Sequence, residues 1–306
     1  MPSPRVCVLG SANMDLVVFA DRAPARGETV AGRSLLTVPG GKGANQAIAV
    51  ARAGGDVRMV GAVGTDVWGD QVLAVLQAAG VDVSAVRRVD GPTGTAHVLV
   101  DASGDNSIVV VPGANGAVHD PVPGLDAALD GAGILLLQLE LPLDAVLAGA
   151  RAARQRGVRV VLTPAPARAL PAELLELVDL LVPNESEAAV LTGCGDPEAA
   201  AAALLDAVPE VVVTMGARGA VWRRRGADPL HVPAPQVTAV DTTAAGDTFV
   251  GALAVALGEN RPPRAALTWA VAAAALSVQK RGASTSMPSR AEIVAFVRDA
   301  FGHEVC

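Results

Sequence analysis

This sequence predicts an α/β fold: a doubly wound, mostly parallel sheet flanked by helices, with a small β-sheet projecting from it as a lid. Three observations lead there. Short apolar runs alternate along the chain with segments of helical periodicity. Those runs are continuously apolar rather than alternating, which means both strand faces are covered, as in a parallel sheet between two helix layers. Two stretches then break the rhythm and read as extended chain.

In chain order, the buried-strand candidates are "RVCVLG", "VRMVGAVG", "GILLLQLE", "VRVVLTP", "DLLVPN" and "VVVTMG". Between them lie "GANQAIAVARAG", "DQVLAVLQAAG", "LDAVLAGARAARQRG" and "PEAAAAALLDAV", whose apolar residues recur at helical spacing. Residues 13–38 and 93–111 supply the projecting sheet, and the second alternates in "TAHVLVD" before a Gly/Asp/Asn-rich turn, "ASGDN", that suits a hairpin. Lid and structural flap or dimer edge are both open readings of this sheet. With no repeats, low-complexity tail or Ser/Pro linker, residues 1–306 read as a single domain carrying the lid on two separate segments.

Composition narrows the function. A net charge of −7 argues against a nucleic-acid binder, which would carry a basic patch, but leaves room for a small anion held by local donors. Cys7, Cys194 and Cys306 are too scattered for a disulfide framework or a zinc site, as expected of reduced cysteines. The first residues are too weakly apolar for a signal peptide, and "AALTWAVAAAALSV" is too short to span a bilayer. A cytoplasmic protein without a membrane partner is the expectation.

In open α/β sheets ligands gather beyond the carboxyl ends of the strands, and Glu140, Asn184 and Thr214 lie at three such ends. The stretch "VDTTAAGDTFVGALAVAL" adds a turn of small residues leading into a helix, with Asp247 at the junction. Helix starts leave amide N–H groups unpartnered and partly positive, and Ala244, Ala245 and Gly246 are small enough to let a phosphate reach them. A carboxylate at Asp247 would then be placed to take a proton from an attacking alcohol; by itself, an aspartate there is better explained as a helix cap. A second glycine turn, "GGKGANQAIAVARAG", feeds a helix but lacks the Gly-Lys-Ser/Thr of a Walker A loop. Asn45 is expected to point its amide outward from the first turn of that helix. Asn13 and Asp15, two apart on an extended segment, share a face and can bracket vicinal hydroxyls.

Together "DTTAAGD" (241–247), "GGKGAN" (40–45), "SANMD" (11–15) and "NESE" (184–187) resemble the signatures of the PfkB sugar kinases, in the same order and over nearly the whole chain. The resemblance implies transfer of the ATP γ-phosphoryl group to the 5-hydroxyl of D-ribose. Asp247 would be the general base, with Ala244, Ala245 and Gly246 donating amides to the transferring phosphate. Asn13, Asp15, Gly41, Asn45 and Glu140 would hold the sugar, with Lys42 close by. Asn184 and Glu187 would order Mg²⁺ through its waters, and Thr214, Gly216 and Gly219 would line the nucleotide cleft. A monovalent cation, K⁺, would sit against Asp241, Thr243, Ser277, Lys280, Gly282 and Ser286, mostly on backbone carbonyls. The lid would also clasp a second subunit in a homodimer.

The small residues before Asp247 run Ala-Ala-Gly where many relatives have Gly-Ala-Gly. His97 is expected to point away from the sugar, and Ser84 to Arg88 to form a solvated turn, with recognition of a phosphorylated sugar by Arg87 and Arg88 as the alternative. Other kinases of the family, acting on fructose, deoxyribose, a sugar phosphate or a nucleoside, are the alternative, and a non-catalytic sugar sensor is a third. Scarce aromatics argue against a nucleoside.

Overall fold

The computed structural model describes residues 4–302, so Cys306 lies outside the described residues. The strands are β1 (Arg5–Leu9), β2 (Asn13–Ala20), β3 (Gly32–Gly40), β4 (Asp56–Gly64), β5 (Asp82–Val89), β6 (Gly94–Val100), β7 (Asn106–Val111), β8 (Ile134–Leu137), β9 (Arg159–Leu162), β10 (Leu180–Leu181), β11 (Glu210–Thr214), β12 (Ala220–Arg224) and β13 (Leu230–Val232). The helices are α1 (Lys42–Arg52), α2 (Val67–Ala78), α3 (Leu125–Leu129), α4 (Leu143–Gln155), α5 (Ala172–Leu177), α6 (Glu185–Thr192), α7 (Pro197–Leu204), α8 (Ala245–Gly258), α9 (Pro263–Ser277) and α10 (Arg290–Phe301).

Nine strands form the main sheet in the order β13-β12-β11-β10-β9-β8-β1-β4-β5, parallel from β5 to β11 and closed by two antiparallel strands. One hydrophobic cluster fills the side covered by α1, α8, α9 and α10, and a second fills the side covered by α3 to α7. The strand runs read from the sequence are thus covered on both faces. The alanine-rich α9 is a buried helix, and among the described residues no helix is long and apolar enough to cross a membrane.

Close helix packing positions the site. A side chain at Gly251 would meet the Ala49 Cβ at 2.5 Å, so only glycine lets α8 close on α1 at this point. At the other end of α1, a Cβ on Gly43 would lie 2.5 Å from the Gly10 carbonyl carbon, seating the helix start on the end of β1. These two approaches bring the first turns of α1 and α8 together across the carboxyl edge of the sheet.

The second sheet has four strands in the order β3-β2-β6-β7 and comes from the two segments read as extended. Register places Asn13 and Asp15 on one face with Gly40, Val38, Gly94 and Ala96. His97 lies on the opposite face, exposed, as the alternation requires. One expectation fails here: Ser84 to Arg88 is not a turn but lies within β5, the edge strand of the main sheet. Exposed Ser84 and Arg88 flanking half-buried Ala85, Val86 and Arg87 fit an edge strand open to water, and Arg88 is spent on an ion pair with Asp70 at 2.5 Å.

Candidate active site

The loop before α8 turns into the helix through Ala244, whose backbone is left-handed at φ 58°. The Ala245 amide bonds back to the Thr242 carbonyl at 3.2 Å, and the first intrahelical bond runs from the Thr248 amide to the Ala244 carbonyl at 2.8 Å. Among the described residues, the amides of Gly246 and Asp247 find no acceptor. The position of Gly246 is open, with nothing within 4 Å of where a Cβ would sit. Two unpartnered N–H groups at the positive end of a 14-residue helix make an anion seat. Of the three residues read as amide donors, Ala245 has its amide committed to the turn, while those of Ala244 and Gly246 find no acceptor among the described residues, and the Asp247 amide stands free beside them.

Asp247 itself is only 8% exposed. Its Oδ2 accepts from Asn45 Nδ2 at 3.2 Å and its Oδ1 from Gln46 Nε2 at 3.1 Å, both from α1. Asn45 therefore turns its amide inward to Asp247, contrary to the outward pose expected of it, because a buried carboxylate with two bare oxygens needs the donor more than solvent does. Burial pushes the Asp247 carboxyl up to about 6, opposed by the Lys42 ammonium and the amides of Gln46 and Asn45, with Glu140 adding to the rise.

Beside Asp247 lies a polar cup. Asp15 is lifted to about 7 by burial and by the neighbouring carboxylates of Glu140 and Asp247, against the pull of Lys42. Its carboxylate rests on Gly40, where a Cβ would fall 2.2 Å from Oδ2. Burial works against the Lys42 ammonium, yet Asp247, Glu140, Glu187 and Asp15 together hold its pKa above the usual lysine value. The Glu140 Oε2 accepts from the Lys42 amide at 2.9 Å and from the Ser11 hydroxyl. Gly41 caps α1 at φ 89° with its Cβ position 2.8 Å from the Asn13 nitrogen, so the turn needs glycine on two counts. Two buried acceptors in this cup, Asp15 Oδ1 and Asn45 Oδ1, have no partner among the described residues. Buried acceptors without donors mark a place for a ligand's hydroxyl groups.

Several residues here escape sequence reasoning. Asn115 accepts from the Ala12 amide at 2.9 Å through Oδ1 and donates through Nδ2 to Asn13 Oδ1 at 2.7 Å. With its oxygen thus occupied, Asn13 is left with its NH₂ to offer. Ser11 bridges the Glu140 carboxylate and the Gly43 amide, and Gln138 donates to Gln46 at 2.7 Å. Gln138 leaves a mark in the sequence as an amide inside the apolar run "ILLLQLE", and Ser11 as the first residue of "SANMD"; Asn115 leaves none.

Asn184 and Thr214 meet in a bridge beyond β10 and β11. Asn184 and Glu187 form a capping box at the start of α6: Asn184 Oδ1 accepts from the Glu187 amide and Glu187 Oε2 from the Asn184 amide, both at 2.8 Å. Burial raises the Glu187 carboxyl, more strongly than that amide and Lys42 lower it. Gly216 and Gly219, at φ 53° and 92°, bracket a short turn after β11. Further along the edge, the Asp241 carboxylate ties two loops together, accepting from the amides of Thr243 and Gly282, each at 2.9 Å. Ser277 and Ser286 are buried and donate to carbonyls three residues back. The Lys280 ammonium turns away to Glu292 on α10 at 2.9 Å, so only its backbone faces this loop pair.

A family model described as pfkB family carbohydrate kinase matches residues 3–290. A ribokinase of Bacillus subtilis is 43% identical over 292 residues, covering 94% of this chain and 97% of that protein. A deoxyribokinase of Salmonella typhi is 36% identical over 293 residues, covering 93% and 95%. Among solved structures, ribokinase of Arabidopsis thaliana complexed with ribose and ATP superposes with a TM-score of 0.91 at 36% identity, covering 97% of this chain and 99% of that one. Ribokinase from Thermotoga maritima gives 0.87 at 37% identity, covering 96% and 99%.

Proposed function

The chain belongs to the PfkB family of carbohydrate kinases, and on that footing we propose that it transfers the γ-phosphoryl group of ATP to the 5-hydroxyl of D-ribose, giving ribose 5-phosphate and ADP. The observation that carries this reading is the Asp247 carboxylate standing beside the unpartnered amides of Gly246 and Asp247 at an open helix start. Phosphoryl transfer asks a protein for little more than such positioning and charge stabilisation. The similarity to ribokinases over nearly the full chain supports ribose as the sugar.

The steps follow from the groups present. Asp15 and Asn45 accept from sugar hydroxyls through their unpartnered oxygens, while Asn13, its carbonyl fixed by Asn115, donates. Asp247 takes the proton of the attacking hydroxyl as the oxygen bonds to phosphorus. The amides of α8 hold the negative oxygens of the migrating group, with Lys42 among the nearby carboxylates as a further cation. The carboxyl edge carrying Asn184, Thr214, Gly216 and Gly219 takes the nucleotide.

Mg²⁺ fits this edge as an ion carried mainly by phosphates and waters: one Glu187 oxygen is committed to the capping box, leaving the other for a metal-bound water. It would neutralise phosphate charge. K⁺ fits the loop pair tied by Asp241, with carbonyls and hydroxyls of residues 241, 243, 277, 280, 282 and 286 as its ligands. It would add positive charge near the anion seat, and exchange of K⁺ for Na⁺ is expected to lower the rate.

Residues 1–306 act in this reading as one kinase domain in the cytoplasm, with segments 13–38 and 93–111 as its lid. Beyond the cup, the sugar-side face of the lid continues as Val17, Leu36, Val98 and Ile108 in one register line, with Leu36 and Ile108 exposed. A four-stranded sheet with so bare an apolar face needs a cover, and a second copy of the chain supplies one in a homodimer.

A panel of ribose, deoxyribose, fructose, fructose phosphate and adenosine with ATP, followed by ADP release, tests the assignment. Preference for ribose is expected; preference for any other acceptor overturns it.

A further inference from the structure

Gln46 lies directly behind the base and has no role in the chemistry described so far. It is fully buried. Its Nε2 donates to Asp247 Oδ1 at 3.1 Å and to Thr163 Oγ1 at 3.2 Å, and its Oε1 accepts from Gln138 Nε2 at 2.7 Å. The amide is thereby gripped from three elements: the start of α8, the end of β9 and the end of β8. Reversed, it would set its carbonyl oxygen against the Asp247 carboxylate, so the carboxylate itself fixes which end faces it. Gln138 must then give its NH₂ to Gln46, and its own Oε1 is left without a partner among the described residues. A buried acceptor left bare is a cost, and here it is incurred in holding one N–H on the base.

We propose that Gln46, braced by Gln138 and Thr163, is a positioning residue for the base: it holds Asp247 Oδ1 and keeps the carboxylate ionised, leaving Oδ2 to meet the substrate proton. The argument rests on the reading of Asp247 as the base, and it goes further by assigning the two carboxylate oxygens different tasks. Oδ2 is held only by Asn45, whose own carbonyl oxygen is unpartnered and aimed at the sugar cup, so sugar binding engages that side. Oδ1 is held from the interior, where no substrate reaches. The charged groups that face the base are Lys42 on the same helix as Gln46, Glu140 beyond β8 and Asp15 on β2, with Glu187 acting on Lys42. Lys42 favours the ionised base and Glu140 opposes it, so the neutral interior donor has a defined share to lose.

The test follows the Asp247 carboxyl directly, by ¹³C NMR titration of the aspartate-labelled full chain, with its signal assigned from Asp247→Asn. Gln46→Leu removes the donor and is expected to raise the titration midpoint by about half to one pH unit. Gln46→Glu, which keeps the shape but sets a second carboxyl against the first, is expected to raise it further. Gln138→Leu, which loosens the brace alone, is expected to give a smaller rise. The acid limb of kcat should move upward in the same order, with KM for ribose within about twofold of the parent, since a positioning residue acts on the transition state rather than on sugar binding. An unmoved midpoint in both Gln46 variants overturns the proposal, including where melting temperature and kcat both fall, since a purely structural role would do only that. The NMR result stands whether or not ribose proves to be the substrate, which the acceptor panel decides separately.

Discussion

The floor of the site and the lid above it come from the same chain but are finished to different degrees. On the floor, polar atoms are paired across elements: Asp247 to Asn45 and Gln46, Gln46 to Gln138 and Thr163, Glu140 to Ser11 and the Lys42 amide. The lid has the opposite character. Leu35 and Val109 on one face are 64% and 65% exposed, and Leu36, Ile108 and Val110 on the other are also bare. Chemistry that depends on fixed geometry is built where packing is dense, whereas the sheet proposed as a lid is left with apolar surface to bury. The floor is largely paired within one chain; the projecting sheet leaves apolar surface open.

The sharpest way to break that contrast is to disable the floor without disturbing the lid. Asp247→Asn keeps the shape and the amide contacts but removes the base, and kcat is expected to fall by about a hundredfold or more while ribose binding persists. Steady-state kinetics beside calorimetric sugar binding checks both halves. Near-parent turnover would remove Asp247 from its role and with it the functional half of the comparison.

The lid takes the next largest effect. Ile108→Glu places a charge in the bare apolar line opposite Val98, and it is expected to weaken self-association by about thirtyfold or more, as burying an unpaired charge at an interface does. Sedimentation reads the association, and KM for ribose should rise more than kcat falls. A parent that is monomeric, or a variant that remains fully dimeric, removes the partner from the account of the lid.

The two regions were also unequally legible in the sequence. Floor strands announce themselves as apolar runs, and even β10, two residues long, is visible as "DLLVPN". The lid is visible as alternation between turn residues. Misreading Ser84 to Arg88 as a turn has a physical cause: two adjacent arginines, which a strand sends to opposite faces, interrupt the apolar pattern of this edge strand. The antiparallel strands β12 and β13 went unread for a similar reason, "GAVWRRR" being half charged. At the site, Asp247, Asp15, Asn13 and Glu140 come from motifs, but Asn115 acts on residues 102 and 103 positions away, and Gln46 reaches Asp247 from 201 away. Local patterning says nothing of such pairs; the packing of residues 113–117 on the start of β2 makes the first, and the close approach of α1 to α8 makes the second.

Proton linkage joins floor to lid through Asp15, which stands on a lid strand but titrates under the influence of Glu140, Asp247 and Lys42. Its carboxyl is raised to about 7, so the ionised form, the one proposed to accept from sugar hydroxyls, is the majority only above that pH. As pH falls through about 7 the carboxyl takes up a proton that sugar binding must displace, and KM for ribose is expected to rise by up to about tenfold per unit. Asp15→Asn should bind sugar weakly and with little pH dependence. A parent KM that stays flat between pH 8 and pH 6 would place the sugar elsewhere than on Asp15.

The smallest expected effect concerns how the floor is held before substrate arrives. Ala244 adopts φ 58° and ψ 15°, a left-handed conformation in which a Cβ crowds the following carbonyl at a cost of about 1 kcal/mol. Glycine has no such cost, though it loses more freedom on folding, by about 0.5–1 kcal/mol relative to alanine. The two terms oppose, and for a position at positive φ the steric one is the larger. Ala244→Gly is therefore expected to raise the melting temperature slightly, by about 1–2 °C for a chain of this size, without moving the amides of Gly246 and Asp247, which follow from the first turn of α8. Kcat should stay within about twofold of the parent, because both residues permit the same turn and the anion seat is built of backbone. A clear loss of stability would mean that the Ala244 methyl packs usefully against its half-buried surroundings, and that the floor relies on side-chain contacts at a point where backbone geometry alone is held to suffice.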